Sequence, residues 1–410
     1  MLLKLLVNVT PLTPPLTGIG HYTRQLLIQL LTNPEFSREL QDIKGFDVLR
    51  VYNRDELVQL LGVTEKTGSE HSGSAGRVMA DAGGQGSMHA LLQVLKPYIK
   101  KIPYARALRH KLMQRSSGLL LDRYQDYIYW EPNYVMQAFA GKSLATIYDL
   151  SHIHYPEYHP RERVTELNKG LELTLAQADR LVSISQFSRN QMLEQWAPSQ
   201  AIDLVFPAVD AAFYRVDDTQ CEAVKHKYQL PECYVLSVAT LEPRKNFIGL
   251  VQAYASLPGS LRQRYPLILV GTRGWLTEDL ETVLKPLIER GEVRYLGYVA
   301  QTDMPALYQS AELTAYVSFY EGYGMPIAES MAAGTAVVTS DCTSMPEVAG
   351  GCAELVDPHC QNSIRNGLHR MLTDDELRQQ KAEAGHRRAQ EWSWEASAKR
   401  LLASMAAISS

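Results

Sequence analysis

At 410 residues the chain exceeds the usual size of one hydrophobic core, so two domains are expected. Hydrophobic residues make up 45% and charged residues 21%, ordinary for a soluble globular protein, and no apolar run approaches the roughly 20 residues needed to span a bilayer. The net charge of −4 hides an asymmetry, since residues 1–200 hold 22 Lys+Arg against 19 Asp+Glu and the remainder 19 against 26.

Leu2–Val9 is a continuous apolar run of the fully buried, parallel-strand type. Met1–Thr10 lacks the cleavage site and charged flank of a secretory signal, so it reads as a buried first strand. A Pro/Gly loop over residues 11–20 follows, and Ile19, Tyr22, Leu26, Leu27, Leu30 and Leu31 then keep helical spacing. Asp47–Tyr52 is the expected second strand. Near 62–90 the chain turns Gly/Ser-rich with almost no aliphatic content, so a flexible insertion is expected there.

No acidic residue occurs between Asp81 and Asp122, while cations crowd over Lys96–Arg115 among aliphatic and aromatic residues. That composition suits an anionic membrane surface or a polyphosphate ligand. A solvated helix face whose apolar side packs on the core is the alternative, and both readings stay open. Leu144–Tyr148 and Arg180–Ile184 are expected strands, with a helix starting near Ser188 and an interdomain connection over Val205–Asp210.

The second half repeats strand and helix more regularly. Strands are expected at Tyr234–Ala239, Leu267–Val270, Val293–Leu296 and Leu313–Val317, with helices near Gly249–Ser256, Leu276–Arg290, Met304–Ser310 and Pro326–Ala333 between or after them. The alternation implies an α/β fold with doubly wound parallel sheets, whose ligands bind beyond the carboxyl ends of the strands. The five cysteines all lie in this half, are odd in number and form no CxxC, which fits a reducing cytoplasm better than a disulfide framework or a zinc site.

Three loops carry chemistry. The richest runs from Phe319 to Ser330, follows a strand and opens a helix. Gly322 and Gly324 allow close backbone approach, Pro326 after Met325 suits the first helical turn, and the helix start favours an anion. Glu321 and Glu329 flank it eight residues apart, and carboxylates of this kind accept hydrogen bonds from sugar diols. Glu242-Pro243-Arg244-Lys245-Asn246 follows another strand, and its paired cations can neutralise a departing diphosphate. Gly18 and Gly20 form a Gly-x-Gly that is not GxGxxG, so a nicotinamide fingerprint is not supported.

Together these loops resemble the retaining glycosyltransferases of family 4, with the GT-B architecture. The Glu-x7-Glu element from Glu321 to Glu329, the Arg244–Lys245 pair, Ser344-Met345-Pro346-Glu347-Val348, Val356-Asp357-Pro358 and Trp392-Ser393-Trp394-Glu395 carry the resemblance. It implies two Rossmann-like domains facing a cleft, at 1–205 and 206–385, with a last helix over 386–410 crossing back to the first. It also implies that Glu321 contacts the transferred sugar, Glu329 the ribose, and Arg244 and Lys245 the diphosphate. Gly18, Gly20, Gly322, Gly324, Met325 and Pro326 would form the rest of the donor site.

Thr146–His152 is similar to the family's acceptor-side segment, placing Tyr148, Asp149 and His152 there, although relatives often carry His where this chain has Tyr148. The segments look most like bacterial O-antigen and exopolysaccharide mannosyl- or rhamnosyltransferases. A GDP-sugar is therefore favoured over a UDP-sugar as donor, and a glycan or lipid-linked oligosaccharide is the expected acceptor.

No Asp-x-Asp occurs, so no metal and no cofactor is expected, and His152, His154 and His159 read as cleft wall rather than ligands. No nucleic-acid partner is expected. The expected location is the cytoplasm, with a peripheral place on the inner membrane face as the option that Lys96–Arg115 adds. A nucleotide-sugar epimerase of GT-B-like fold and a non-catalytic glycan-binding scaffold are the alternatives.

Overall fold

The computed structural model describes residues 2–14, 16–47, 50–63, 120–272, 274 and 278–409. Most of the glycine- and serine-rich stretch near 62–90, and all of Lys96–Arg115, lie outside the described residues. The chain divides into two compact units, one of residues 1–131 and 137–143, the other of residues 132–136 and 144–410.

In the first unit β1 (Leu3–Asn8) pairs in parallel with β2 (Leu40–Phe46) and with β4 (Ile128–Glu131). The two-residue β3 (Val51–Tyr52) runs antiparallel to β2. The second strand is thus Leu40–Phe46 and not Asp47–Tyr52. Asp47 instead makes a turn, its Oδ1 accepting the Arg50 N–H at 3.0 Å and its backbone N–H bonding the Arg50 carbonyl.

Helix Gly18–Thr32 starts at Thr17, whose hydroxyl accepts the Gly20 N–H at 3.3 Å. Its buried stripe of Tyr22, Leu26, Leu27, Leu30 and Leu31 follows the expected spacing. At the carboxyl end of β4 the Glu131 carboxylate is buried and accepts from Asn8 Nδ2 at 2.8 Å and Tyr129 OH at 2.5 Å, so the charge is taken out of water with partners.

β5 (Ser143–Ile147), which lies in the second unit from Leu144 on, pairs in parallel with β6 (Arg180–Ser183), and β6 with β7 (Ile202–Leu204). Helix Gln186–Trp196 follows β6, and its first turn is capped by Ser185. Helix Trp394–Ser409 ends the chain, packs on β7, and donates a hydrogen bond from Ser397 Oγ to the Phe206 carbonyl at 2.6 Å.

The remaining strands are β8 (Val235–Val238), β9 (Leu267–Val270), β10 (Val293–Gly297), β11 (Leu313–Tyr316), β12 (Val337–Ser340) and β13 (Glu354–Val356). They form one all-parallel sheet in the order β10-β9-β8-β11-β12-β13. Helices Phe247–Ala255 and Gln361–Thr373 cover it through Leu250, Val251, Ile364 and Leu368, which pack on Val235, Leu269, Leu313 and Val338. A parallel strand sequestered by helices explains why β9 reads as an unbroken apolar run. The strand order reverses between β8 and β11. Loops leaving the two strands at such a switch point diverge and leave room for a ligand.

Candidate active site at the β8–β11 switch point

The loop after β8 carries Glu242, Arg244 and Lys245, and the loop after β11 carries Phe319, Tyr320 and Glu321. They are stitched together by backbone, the Phe319 N–H donating to the Arg244 carbonyl at 2.9 Å. Arg244 returns the contact, with Nη1 donating to the Tyr320 carbonyl at 2.6 Å.

Glu321 is 6% exposed and sits between the two cations. Its Oε1 accepts from Lys245 Nζ at 2.6 Å and Tyr316 OH at 2.8 Å, while Oε2 lies 3.2 Å from Arg244 Nη1. Arg244 Nη2 also bonds Glu242 Oε1 at 2.9 Å. Two carboxylates and two cations thus balance in a space removed from water, the condition under which buried charges are tolerated.

Burial alone would raise the Glu321 carboxyl, but Lys245 and then Arg244 pull it down to about 2, so it is ionised at neutral pH. Burial and the adjacent Arg244 guanidinium push the Lys245 ammonium below its usual value, with Glu321 opposing them. The main chain of the loop is fixed as well. The Glu321 N–H donates to Thr343 Oγ1 at 3.2 Å, and Ser344 Oγ donates to the carbonyls of Glu321 and Tyr323 at 2.9 and 2.8 Å.

Gly324 stands at the start of helix Met325–Ala332 with φ +105°, backbone that favours glycine. Pro326 is in the first turn, as expected. Glu329 lies on this helix, half-buried, with the Tyr308 hydroxyl as its neighbour. Burial lifts its carboxyl to about 7, against a smaller opposing pull from the Tyr308 hydroxyl. The two carboxylates of the Glu-x7-Glu element therefore sit in opposite electrostatic settings.

The segment Tyr148–His152 comes directly against the glycine loop. A Cβ on Gly322 would meet the Tyr148 carbonyl at 2.3 Å and Asp149 Cβ at 2.8 Å, so the missing side chain of Gly322 makes room for that segment. Ser188 Oγ bridges the two, within reach of the Tyr148 carbonyl at 2.9 Å and the Gly322 carbonyl at 3.2 Å. The Leu150 N–H donates to Tyr320 OH at 3.2 Å. Glu347 completes the junction by accepting the Gln186 and Phe187 N–H groups at 2.8 and 3.0 Å.

Tyr148 is buried, and its hydroxyl donates to the Pro132 carbonyl at 2.8 Å. The Asp149 N–H donates to Tyr134 OH at 3.0 Å, and its carboxylate caps the Ser151 N–H. His152 is 2% exposed, edge-on to Tyr134, and burial takes it down to about 4 despite the Asp149 charge, so it is neutral at pH 7. His154 is exposed and lies 5.9 Å from the Tyr320 ring, and His159 Nε2 is 3.1 Å from Ser151 Oγ. The three histidines thus serve different neighbours.

Gly18 and Gly20 belong to the first unit, in the first turn of helix Gly18–Thr32. A Cβ on Gly20 would meet the Pro11 carbonyl at 2.5 Å, whereas nothing lies within 4 Å of one on Gly18.

The structure adds residues that sequence reasoning passed over. Tyr316 ends β11, and Ser188 lies inside a helix, where nothing in the local pattern marks either. Glu347 and Ser344 were visible only as part of a motif, without a partner.

Residues 221–388 match the family described as Glycosyl transferases group 1. Over 399 residues, 96% of this chain and 97% of the relative, the chain is 35% identical to O-antigen chain mannosyltransferase B of Escherichia coli. It is 33% identical over 223 residues, 53% of this chain and 27% of the relative, to the serotype-specific mannosyltransferase WbdA of Escherichia coli. The crystal structure of Anabaena HepE in complex with UDP-glucose has the same fold, with a TM-score of 0.69 at 16% identity over 98% of this chain and 99% of that one. Similar along nearly its whole length to an O-antigen mannosyltransferase, and built on the fold of the GT-B glycosyltransferases, the chain belongs to the group 1 glycosyl transferases.

Proposed function

We propose that the protein transfers mannose from a nucleotide-diphosphate sugar, GDP-mannose in preference to a UDP-sugar, to a glycan or lipid-linked oligosaccharide, with retention of anomeric configuration and without a metal ion. The observation that carries this reading is Glu321, kept ionised between Lys245 and Arg244 at the switch point of the sheet. The choice of mannose rests on likeness to the mannosyltransferases.

In this reading the donor diphosphate lies against Arg244 and Lys245, with Gly322, Gly324, Met325 and Pro326 along it and Glu329 on the ribose; the sequence adds Gly18 and Gly20 as diphosphate contacts. Glu321 accepts hydrogen bonds from hydroxyls of the transferred ring. Tyr148, Asp149 and His152 line the acceptor side. The acceptor oxygen bonds to the anomeric carbon on the face that the diphosphate leaves. The bond from that carbon to phosphate breaks, and the acceptor's proton passes to the departing phosphate oxygen.

The cations stabilise the charge that develops there, doing what a divalent ion would otherwise do. We further propose the division 1–205, 206–385 and 386–410, supported by the separate sheet of β8–β13. A cytoplasmic enzyme held at an anionic membrane through Lys96–Arg115 fits a lipid-linked acceptor.

Incubation with GDP-mannose or UDP-glucose and a mannoside acceptor, with and without EDTA, tests the reading. GDP release from GDP-mannose that survives EDTA, and an α-linked product by NMR, are expected. Release that disappears on chelation and returns with Mg²⁺ or Mn²⁺, or a β-linked product, would overturn the mechanism.

A further inference from the structure

The loops that build the Glu321 cluster have a second side. There a cavity of about 510 Å³ opens, in the size range of small-molecule sites. Three of its lining rings form a row: Tyr158 and Phe319 are 6.1 Å apart and within 21° of parallel, and Phe319 and His359 are 4.8 Å apart and within 20°. Tyr155 extends the row, 5.6 Å from Tyr158 and within 4° of parallel. Tyr158 and Phe319 are half-buried and His359 is exposed, so the row is not closed into the core.

The cavity's rim is polar. Glu242 and the exposed Gln252 and Gln361 line it, over an apolar floor that includes Leu241 and Phe247. No lysine or arginine is among the described residues that line it. A phosphate-bearing ligand is a poor match for such a wall. A neutral ligand with apolar faces and hydroxyl edges is a good one, because the exposed His359 ring, the edges of the row and the apolar floor take C–H surfaces while the amides take hydroxyls.

We propose that this cavity is a subsite for pyranose rings of the acceptor glycan, next to the ring that receives the transferred sugar. The proposal rests on the reading of the protein as a glycan-elongating transferase. Two residues tie the cavity to the Glu321 cluster. Glu242 lines the cavity and bonds Arg244 at 2.9 Å, and Phe319 lines it while its N–H bonds the Arg244 carbonyl at 2.9 Å. A chain seated on the ring row therefore ends beside the cations of the transfer site. Acceptors longer than one sugar gain contacts that a single sugar lacks, so the cavity selects for chain length.

Saturation-transfer NMR and calorimetry with α-mannotriose and methyl α-mannoside test this, on the parent protein and on the single variants Tyr158→Ala, His359→Ala and Gln361→Ala. Hydrolysis of GDP-mannose is measured alongside. The parent should bind mannotriose more tightly than the monosaccharide, and the ring variants should weaken mannotriose binding by about tenfold. Donor hydrolysis should stay unchanged, since none of the three residues touches the Glu321 cluster. His359 and Gln361 are exposed, so their variants keep the fold even if Tyr158→Ala does not. Equal mannotriose binding by parent, His359→Ala and Gln361→Ala, or no preference of the parent for mannotriose, would overturn the subsite. Absence of hydrolysis with every nucleotide sugar would instead count against the transferase reading, and the binding comparison would still decide the subsite.

Discussion

Lys245 Nζ stands 2.6 Å from Glu321 Oε1, and both side chains are almost fully removed from solvent. Removing one partner of such a pair leaves a buried charge without compensation. Lys245→Ala and Arg244→Ala should each lower transfer by about 10²–10³-fold, the effect of deleting one charge-stabilising donor. Circular dichroism should show the fold retained, with a lowered Tm. Turnover near the parent value in both variants would mean that the diphosphate is held by other groups.

Glu321 and Glu329 should separate kinetically. Contacts that strengthen in the transition state affect kcat, whereas contacts equal in both states affect KM. Glu321 adjoins the reacting ring in the proposed pose, so Glu321→Gln should chiefly depress kcat. Glu329 would hold a ribose that does not change, so Glu329→Gln should raise the donor KM, by about 1.5–3 kcal/mol in binding. Steady-state kinetics on the two variants decide it, and the reverse pattern would mean that the assignments are exchanged.

Glu329 also predicts a pH dependence. Burial raises its carboxyl from the usual 4.5 to about 7, so the folded chain holds that proton at pH values where the unfolded chain has lost it. The stability this gives is fully present below about 4.5 and is lost as pH rises through about 7. Chemical denaturation between pH 5 and 8 should show the parent losing about 1–2 kcal/mol relative to Glu329→Gln, a figure reduced for a half-buried group. Donor affinity should move the other way, because the ionised carboxylate is the better acceptor for a diol. The donor KM of the parent should fall from pH 6 to 8, while that of Glu329→Gln should stay flat.

Two glycines should respond differently to alanine. At Gly322 the added methyl collides with the Tyr148 carbonyl, so Gly322→Ala should destabilise by about 1–3 kcal/mol, the usual range for overpacking. At Gly18 the methyl meets open space inside a helix, so Gly18→Ala should hold or raise the Tm. Loss of donor hydrolysis in a stable Gly18→Ala protein would support a role for that backbone against the diphosphate. Unchanged hydrolysis would remove Gly18 from the donor site.

What the sequence made legible follows the local or non-local origin of each feature. The strands β9 and β11 stand where buried runs lie, because a parallel strand covered on both faces leaves no alternation to misread, whereas the edge strand β10 stands where expected with only Val293 buried. β2 escapes the apolar pattern because Leu40–Phe46 contains Gln41, Asp42 and Lys44, while Val51–Tyr52 forms only a two-residue edge. β4, β7, β12 and β13 go beyond the expected strands, each being only three or four residues long.

At the site, Glu321 through Glu329 form one contiguous segment and could be found by spacing. That Glu321 draws Lys245 onto one oxygen and Arg244 onto the other is a tertiary fact. So is the burial that keeps His152 neutral in a segment that reads as a polar, aromatic loop. Gly322 shows the same limit in another form, since its spacing marks a missing side chain but not that Tyr148 and Asp149 pack where that side chain would stand.

The Glu347 cap on helix Gln186–Trp196 has a consequence for biosynthesis. Its bonds to the Gln186 and Phe187 N–H groups span 161 and 160 residues of chain, and the Ser188 bond to Gly322 spans 134. A ribosome adding about 5–20 residues per second needs roughly 8–30 s to make the chain between them. Through that interval the emerging helix has two amide donors open to water, and the Tyr148–His152 segment has no glycine loop to lean on. Until Glu347 has been made, the first turn of that helix is capped by Ser185 alone.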